Sequence, residues 1–178
     1  MKSSLQHIFK LRKDVGLNFY FADFWFRKIL RQNADTPWAV HHTSSIICPQ
    51  NIQRGINVFP GDSPGNYIEA YNGVIIGDYS NIGPNVGILS ANHNKINNAL
   101  HDKANPVKIG NFCWIGMNAV ILPGVELGDF TIVGAGAVVS KSFTEGYCVI
   151  GGNPAVVINQ LNQHECIEFS KSRYDSNK

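Results

Sequence analysis

No run of 18 apolar residues occurs in the sequence, so no segment reads as a membrane-spanning helix. Lys and Arg form no dense block and the net charge is only +2, which leaves nucleic acid without an electrostatic footprint; it is not an expected partner. The four cysteines, Cys48, Cys113, Cys148 and Cys166, include no CxxC pair and no zinc-finger histidines. That spacing reads as free thiols in a reducing cytoplasm. No long apolar stretch separates Lys2 from Lys10, Arg12 and Lys13, so a secretory signal is not expected. A phosphate-cradling P-loop is missing as well. What is present is a chain of 178 residues, 44% hydrophobic, long enough for one sizeable core and a small appendage.

The chain has a period. Steps of six link Val40, Ile46, Ile52 and Val58; then Ile76, Ile82 and Ile88; then Ile109, Ile115, Ile121, Leu127, Val133 and Val139. Every one of these is Val, Ile or Leu, types that make up about a fifth of an average chain. Gly often comes next, as at Gly77, Gly83, Gly110, Gly116, Gly128 and Gly134. Four residues after the aliphatic one stands a small or slender side chain: Ser80, Val86, Cys113, Ala119, Thr131 or Ala137. A triangular coil explains the pattern. Each hexapeptide gives a short strand and a tight turn, and the aliphatic side chain points inward onto its equivalent one coil away. Gly and Asn at the corners tolerate the tight backbone. Stacked coils pair as parallel strands, so backbone groups find partners above and below. A β-sandwich turns every 8–12 residues with faces of period two, which fits worse. Val58 to Ile76 reads as one 18-residue coil. Ile88 to Ile109 reads as one step plus 15 extra residues, which fall within "SANHNKINNALHDKANP", the segment that carries His93 and His101.

The fold class expected is therefore mainly β, a parallel β-helix of hexapeptide repeats over residues 37–158 with an excursion loop at 92–106. Residues 1–36 lack the step. There Leu17, Tyr20, Phe21, Phe24, Trp25 and Ile29 fall near helical spacing, which predicts a helical cap packed on the open first coil. Arg27, Lys28 and Arg31 suit its C-terminal end. With Lys10, Arg12 and Lys13, the same aromatic stretch could instead touch a membrane surface. The coil ends at a Gly-Gly-Asn-Pro turn, and residues 159–178 form a short helix or tail.

Three stretches carry a resemblance: "VIIGDYSNIGPNVGILSANH", "VKIGNFCWIGMNAVILPGVELGDFTIVGAGAVVSKS" and "VIGGNPAVVI". Over residues 40 to about 158 the chain resembles the hexapeptide-repeat acyltransferases, and within them the galactoside, maltose and polysaccharide O-acetyltransferases. The resemblance implies a left-handed coil, against the usual crossover preference. It also implies a homotrimer in the cytoplasm, with acetyl-CoA as acyl donor in a groove between neighbouring coils and no metal.

Acetyl transfer to a hydroxyl needs a base. Histidine, with a pKa near ~6.5, can take the proton as the oxygen attacks the thioester. The family's catalytic histidine aligns with His93. Trp114 resembles a tryptophan at the wall of the thioester site. The Met117 N–H after Gly116 matches a donor to the acetyl or pantetheine carbonyl, and could serve an oxyanion. Ala135, Ser140 and Lys141 match positions lining pantetheine and the nucleotide phosphates. The family often has Lys or Arg after "GNPA"; Val156 stands there in this chain, so Lys103 or Lys108 is left to supply that phosphate contact. Candidates for the acceptor, a sugar or glycan, are Glu69, Tyr71, Asn72, Asn85 and Asn92, polar groups suited to bonding sugar hydroxyls. His101 reads as a solvated loop residue, and His41 and His42 as structural. Two rival readings are a non-catalytic β-helix scaffold and a γ-type carbonic anhydrase. The second needs three zinc histidines with a pair five apart; His93 and His101 are eight apart.

Overall fold

The computed structural model describes Arg12 and residues 15–176. The first part of the expected N-terminal cap, residues 1–11 with 13 and 14, and the last two residues of the tail lie outside the described residues.

Fourteen short strands wind into a three-sided prism. The first face stacks β1 (Ser45–Ile47), β3 (Tyr67–Glu69), β6 (Gly87–Leu89), β9 (Val120–Ile121) and β12 (Val138–Val139). The second stacks β2 (Ile52–Arg54), β4 (Val74–Ile76), β7 (Val107–Ile109) and β10 (Glu126–Leu127). The third stacks β5 (Asn81–Ile82), β8 (Trp114–Ile115), β11 (Ile132–Val133) and β13 (Cys148–Gly151). All of these pairings are parallel; only β14 (Val156–Gln160) returns antiparallel against β13. The chain visits the faces in fixed order, so the prism has three edges. We call the edge between first and second faces the loop edge, that between second and third the aromatic edge, and that between third and first the Met117 edge.

The repeat residues fill the interior. On the first face Ile68, Ile88 and Ile121 are buried in register, one above the next, and on the third face Ile115, Val133 and Ile150 are. Each buried side chain of this size contributes roughly 1.5–3 kcal/mol. The slender positions are interior too: Ser80, Val86, Cys113, Ala119, Thr131 and Ala137 are all buried, where the corner leaves room for little else. A Cβ on Gly116 would meet Val133 O at 2.6 Å and Ala135 N at 2.8 Å. The next coil therefore lies too close for any side chain at that corner.

The step of six is less strict in the first coils than the sequence suggests. Ile46 pairs with Ile68, and Ile52 with Val74, while Ile76 pairs with Arg54. Ile52 and Val58 thus occupy the slender slot rather than the aliphatic one. Val58 to Ile76 is not one whole coil. A turn of 3₁₀ helix, Pro49–Asn51, lengthens the loop edge and carries Ile52 out of step, and the next coil, Ile52 to Val74, is itself longer than 18 residues. From Ile82 onward the expected frame holds: Ile88 stands below Ile121 and Ile76 below Ile109, so the excursion leaves and rejoins without shifting the register.

At the aromatic edge, Tyr79, Phe112, Phe130 and Tyr147 all adopt positive φ, between 48° and 56°. Their rings point outward and stack at 5.1, 4.9 and 5.7 Å, close to the spacing that parallel strands impose. Helix α2 (Gln163–Asp175) packs on this ladder. Its N-terminus is capped by the Asn162 side chain, which accepts from the backbone of His164 and Glu165. Phe169 and Tyr174 set their rings edge-on to Phe112, and the Tyr174 hydroxyl donates to Asp78 at 2.9 Å.

At the other end, α1 (Leu17–Asp23) runs on into a π-helical turn, Phe24–Ile29. Here the structure corrects the expected packing. The stripe of Phe21, Phe24, Trp25 and Ile29 does not pack on the first coil; all four are more than half exposed. The inward side instead combines the half-buried rings of Phe19 and Phe26 with a buried ion pair. Asp23 is 5% exposed and takes two hydrogen bonds from Arg27 at 2.9 and 2.7 Å and one from the Val40 N–H at 2.9 Å. Arg27 also donates to Thr36 O. Phe26 stacks on His42, and His42 on His41. Both histidines lie at the foot of the prism, where burial and then the neighbouring His42 push His41 below its ordinary pKa.

Candidate active site

The loop edge is where the chain departs from its period. Beneath the excursion, Glu69 is buried, and its carboxylate accepts from the Tyr71 N–H at 3.1 Å and the Ser90 hydroxyl at 3.2 Å. The Ser90 oxygen accepts in turn from the Asn72 N–H. The Asn72 amide donates to Ser90 O and to Asp102 O, at 2.9 and 3.0 Å. One asparagine thus ties both ends of the loop to the coil below.

The loop itself is a small closed hairpin. His93 and His101 form an antiparallel bridge; Asp102 N–H donates to Asn92 O, and Asn94 N–H to Leu100 O. The Asn94 side chain accepts from the Ile96 and Asn97 N–H groups and donates to the Asp102 carboxylate. Asparagine folds backbone this way because its short amide mimics a peptide group, which explains the wealth of asparagine in the segment.

His93 lies beyond β6, which ends at Leu89, and its ring is exposed. Nδ1 is 2.6 Å from Asn98 O. A carbonyl can only accept, so Nδ1 carries the proton and the Nε2 lone pair is free. The His101 ring lies 4.5 Å from that of His93 and 4.3 Å from that of Tyr71. Three rings therefore lie in a row across the loop edge, each tilted by 34–36° to the next. His101, read from sequence as a solvated loop residue, is exposed but held on both sides. The pairing of a histidine with one eight residues on was the available signal: two strands of a hairpin put such residues opposite each other.

The remaining candidates divide between edges. Tyr71, Asn72, Asn92 and His93 share the loop edge, as do Ser140 and Lys141 after β12. Lys141 is exposed, with its ammonium 5.6 Å from the Phe143 ring. Gly116, Met117 and Ala135 stand on the Met117 edge, with Asn85 one coil below at φ 55°. Met117 and Ala135 are exposed, and among the described residues neither N–H has a backbone acceptor. Trp114, 55% exposed, projects outward from β8 on the third face. The two edges are separated by the full width of the first face, about six residues of chain and thus up to roughly 20 Å. One chain does not bring His93 to Met117 or Trp114. Lys108 is engaged with Glu126 at 2.8 Å across the second face, whereas Lys103 is exposed in the loop. Val156 is an exposed residue of β14.

A cavity of about 700 Å³ lies elsewhere, between the ring ladder and the foot of the third face, lined by Tyr79, Phe112, Phe169 and Arg173 among others. Among the described residues, no group of three or more His, Cys, Asp and Glu is placed to hold a metal ion, and no helix is long and apolar enough to cross a membrane.

Residues 106–141 match the family model for the bacterial transferase hexapeptide, six repeats. No curated protein sequence matches the chain significantly. Among solved structures, it is similar to a maltose O-acetyltransferase from Clostridium difficile 630, with 34% identity and a TM-score of 0.58 over 65% of this chain and 62% of that one. The matched part thus spans less than two thirds of that enzyme's length. A hexapeptide-repeat acetyltransferase from Vibrio cholerae is 26% identical over 68% of this chain and 72% of that one, with a TM-score of 0.58. A galactoside acetyltransferase in complex with coenzyme A superposes with a TM-score of 0.65 at 23% identity, over 87% and 88% of the two chains. The coil of residues 106–141 is a bacterial transferase hexapeptide array, and the chain has the left-handed parallel β-helix of the hexapeptide-repeat acetyltransferases.

Proposed function

We propose that the protein is an acetyl-CoA-dependent O-acetyltransferase whose acceptor is a sugar or glycan hydroxyl and whose general base is His93. The observation that carries this reading is the Nδ1–Asn98 O contact of 2.6 Å, which fixes the tautomer and leaves Nε2 as an outward-facing proton acceptor. A base in this position typically contributes about 10²–10⁴ in rate. In direct transfer, the hydroxyl oxygen bonds to the acetyl carbonyl carbon as its proton passes to Nε2; the thiolate leaves and is reprotonated. The exposed Met117 and Ala135 N–H groups, one coil apart, suit the carbonyls of an extended pantetheine arm. The Met117 N–H could also hold the oxygen on which charge develops. Lys141 and Lys103 are exposed cations of the loop edge suited to phosphate. Tyr71 and Asn92 are the polar groups beside His93 for the acceptor; Asn72 is spent on holding the loop and Glu69 on its floor.

The geometry also favours an oligomer. The middle row of outward residues on the first face is Ser45, Tyr67, Gly87, Val120 and Val138, without a charge, whereas the second face carries Lys108 and Glu126. Copies packed by their first faces around a three-fold axis would set the loop edge of one against the Met117 edge of the next. That arrangement completes the site that a single chain leaves divided.

The test is release of free thiol from acetyl-CoA against a panel of mono- and oligosaccharides, with mass detection of the product. Acceptor-dependent thiol release with one added acetyl group supports the reading. A protein that neither binds CoA nor releases thiol with any sugar is the scaffold instead.

A further inference from the structure

The N-terminal helical segment is inverted. A helix on a protein surface ordinarily turns its apolar stripe inward and its charges outward. Here the inward face holds the Asp23–Arg27 ion pair, bonded to Val40 and Thr36. The outward face holds Phe21, Phe24, Trp25 and Ile29, exposed by 74, 56, 57 and 52% in the order Phe21, Trp25, Phe24, Ile29. Their spacing of three and four puts them on one side, and so many large apolar side chains side by side mark a contact surface rather than scattered exposure. Lys28 and Arg31 flank the stripe and are exposed. Asp23, the sole carboxylate from Leu17 to Arg31, is buried and paired.

We propose that this face rests on an anionic lipid surface. Aromatic rings prefer the headgroup level of a bilayer, and long cationic side chains reach past an apolar stripe to the phosphates. Each Lys or Arg near an anionic leaflet adds attraction that salt weakens. A second copy of this chain is the poorer occupant, because a symmetric contact would bring the same cations together with no exposed carboxylate on the segment to meet them. The segment lies at the foot of the prism, so a chain standing on lipid by this face leaves the loop edge open along its side. The inference does not depend on the acetyltransferase reading.

Flotation of the full chain with phosphatidylglycerol vesicles tests it, beside phosphatidylcholine vesicles as control. Binding to the first and not the second, weakened at least about fivefold in 0.5 M salt, is the expected result. Phe21→Ser with Trp25→Ser should lower binding by about tenfold or more while the circular dichroism spectrum and solution mass stay unchanged. Lys28→Glu, which leaves the stripe and the buried pair intact, should weaken binding as well. Failure of the wild-type chain to float with phosphatidylglycerol overturns the proposal. So does a fall in solution mass of the double variant, which would assign the face to another copy.

Discussion

His93 owes its tautomer to one backbone carbonyl, and its orientation to one neighbouring ring. Asn98 O holds the proton on Nδ1, while the His101 ring lies against it at 4.5 Å, tilted by 36°, and is itself backed by Tyr71. Ring pairs of this kind contribute about 0.5–1.5 kcal/mol beyond burial, enough to bias a side chain that is otherwise exposed. On the proposed reading, His101 therefore positions His93. His101→Ala should lower kcat on the order of tenfold with little change in the KM for acetyl-CoA, and His101→Phe should restore most of the loss because it keeps the ring contact. Steady-state kinetics with both substrates varied checks this; equal losses in both variants would make the imidazole, not the ring contact, the important feature. At this scale the sequence was only partly readable. The break in the period marks the loop that carries His93, and it is the family resemblance that singles that histidine out. The role of Asn72 was not, because its value lies in reaching Asp102 thirty residues on, a distance that no local pattern encodes.

The elements divide by how strongly the period dictates them. The strands from β5 to β12 follow from the six-residue step, since moving a branched aliphatic out of the core leaves a buried slot unfilled. The first coils slipped from that step because Pro49–Asn51 adds a turn and the next coil is itself longer, and the aliphatic residue still finds an interior place two positions away. The aromatic ladder was invisible to a reading that followed inward residues, yet it decides where α2 docks. Tyr174 seals that contact. Burial, followed by the hydrogen bond to Asp78, pushes its phenol up to about 12, against about 10 when unfolded. The folded chain thus holds this proton more tightly, so the contribution is present below pH ~10 and is lost as pH rises toward ~12. Helix docking, followed by far-ultraviolet dichroism and tyrosinate absorbance, should loosen across that window. Tyr174→Phe should fold and lack its share of the transition. Burial also pushes the Cys113 thiol up to about 12, so the difference between wild type and variant is the quantity to read. No difference would mean that the Asp78 contact does not hold the helix.

At the scale of the whole molecule, the repeat predicts a prism with one large excursion, and on the proposed reading the prism divides the site between neighbouring copies. His93 stands on one edge, and Met117 and Trp114 lie across the first face from it or beyond. If neighbouring copies complete the site, chains carrying His93→Ala and chains carrying Trp114→Ala, each weakly active alone, should regain activity when unfolded and refolded together. In randomly assembled trimers from a 1:1 mixture, about a quarter of the seams would pair intact partners. No recovery would place the whole site on one chain. The central claim is narrower and can be tested by one number, the turnover of His93→Ala under saturating acetyl-CoA and acceptor. The account predicts a fall of at least about 10² with CoA binding and the circular dichroism spectrum unchanged. Turnover within a few-fold of wild type, in a variant that still folds and binds CoA, would contradict it.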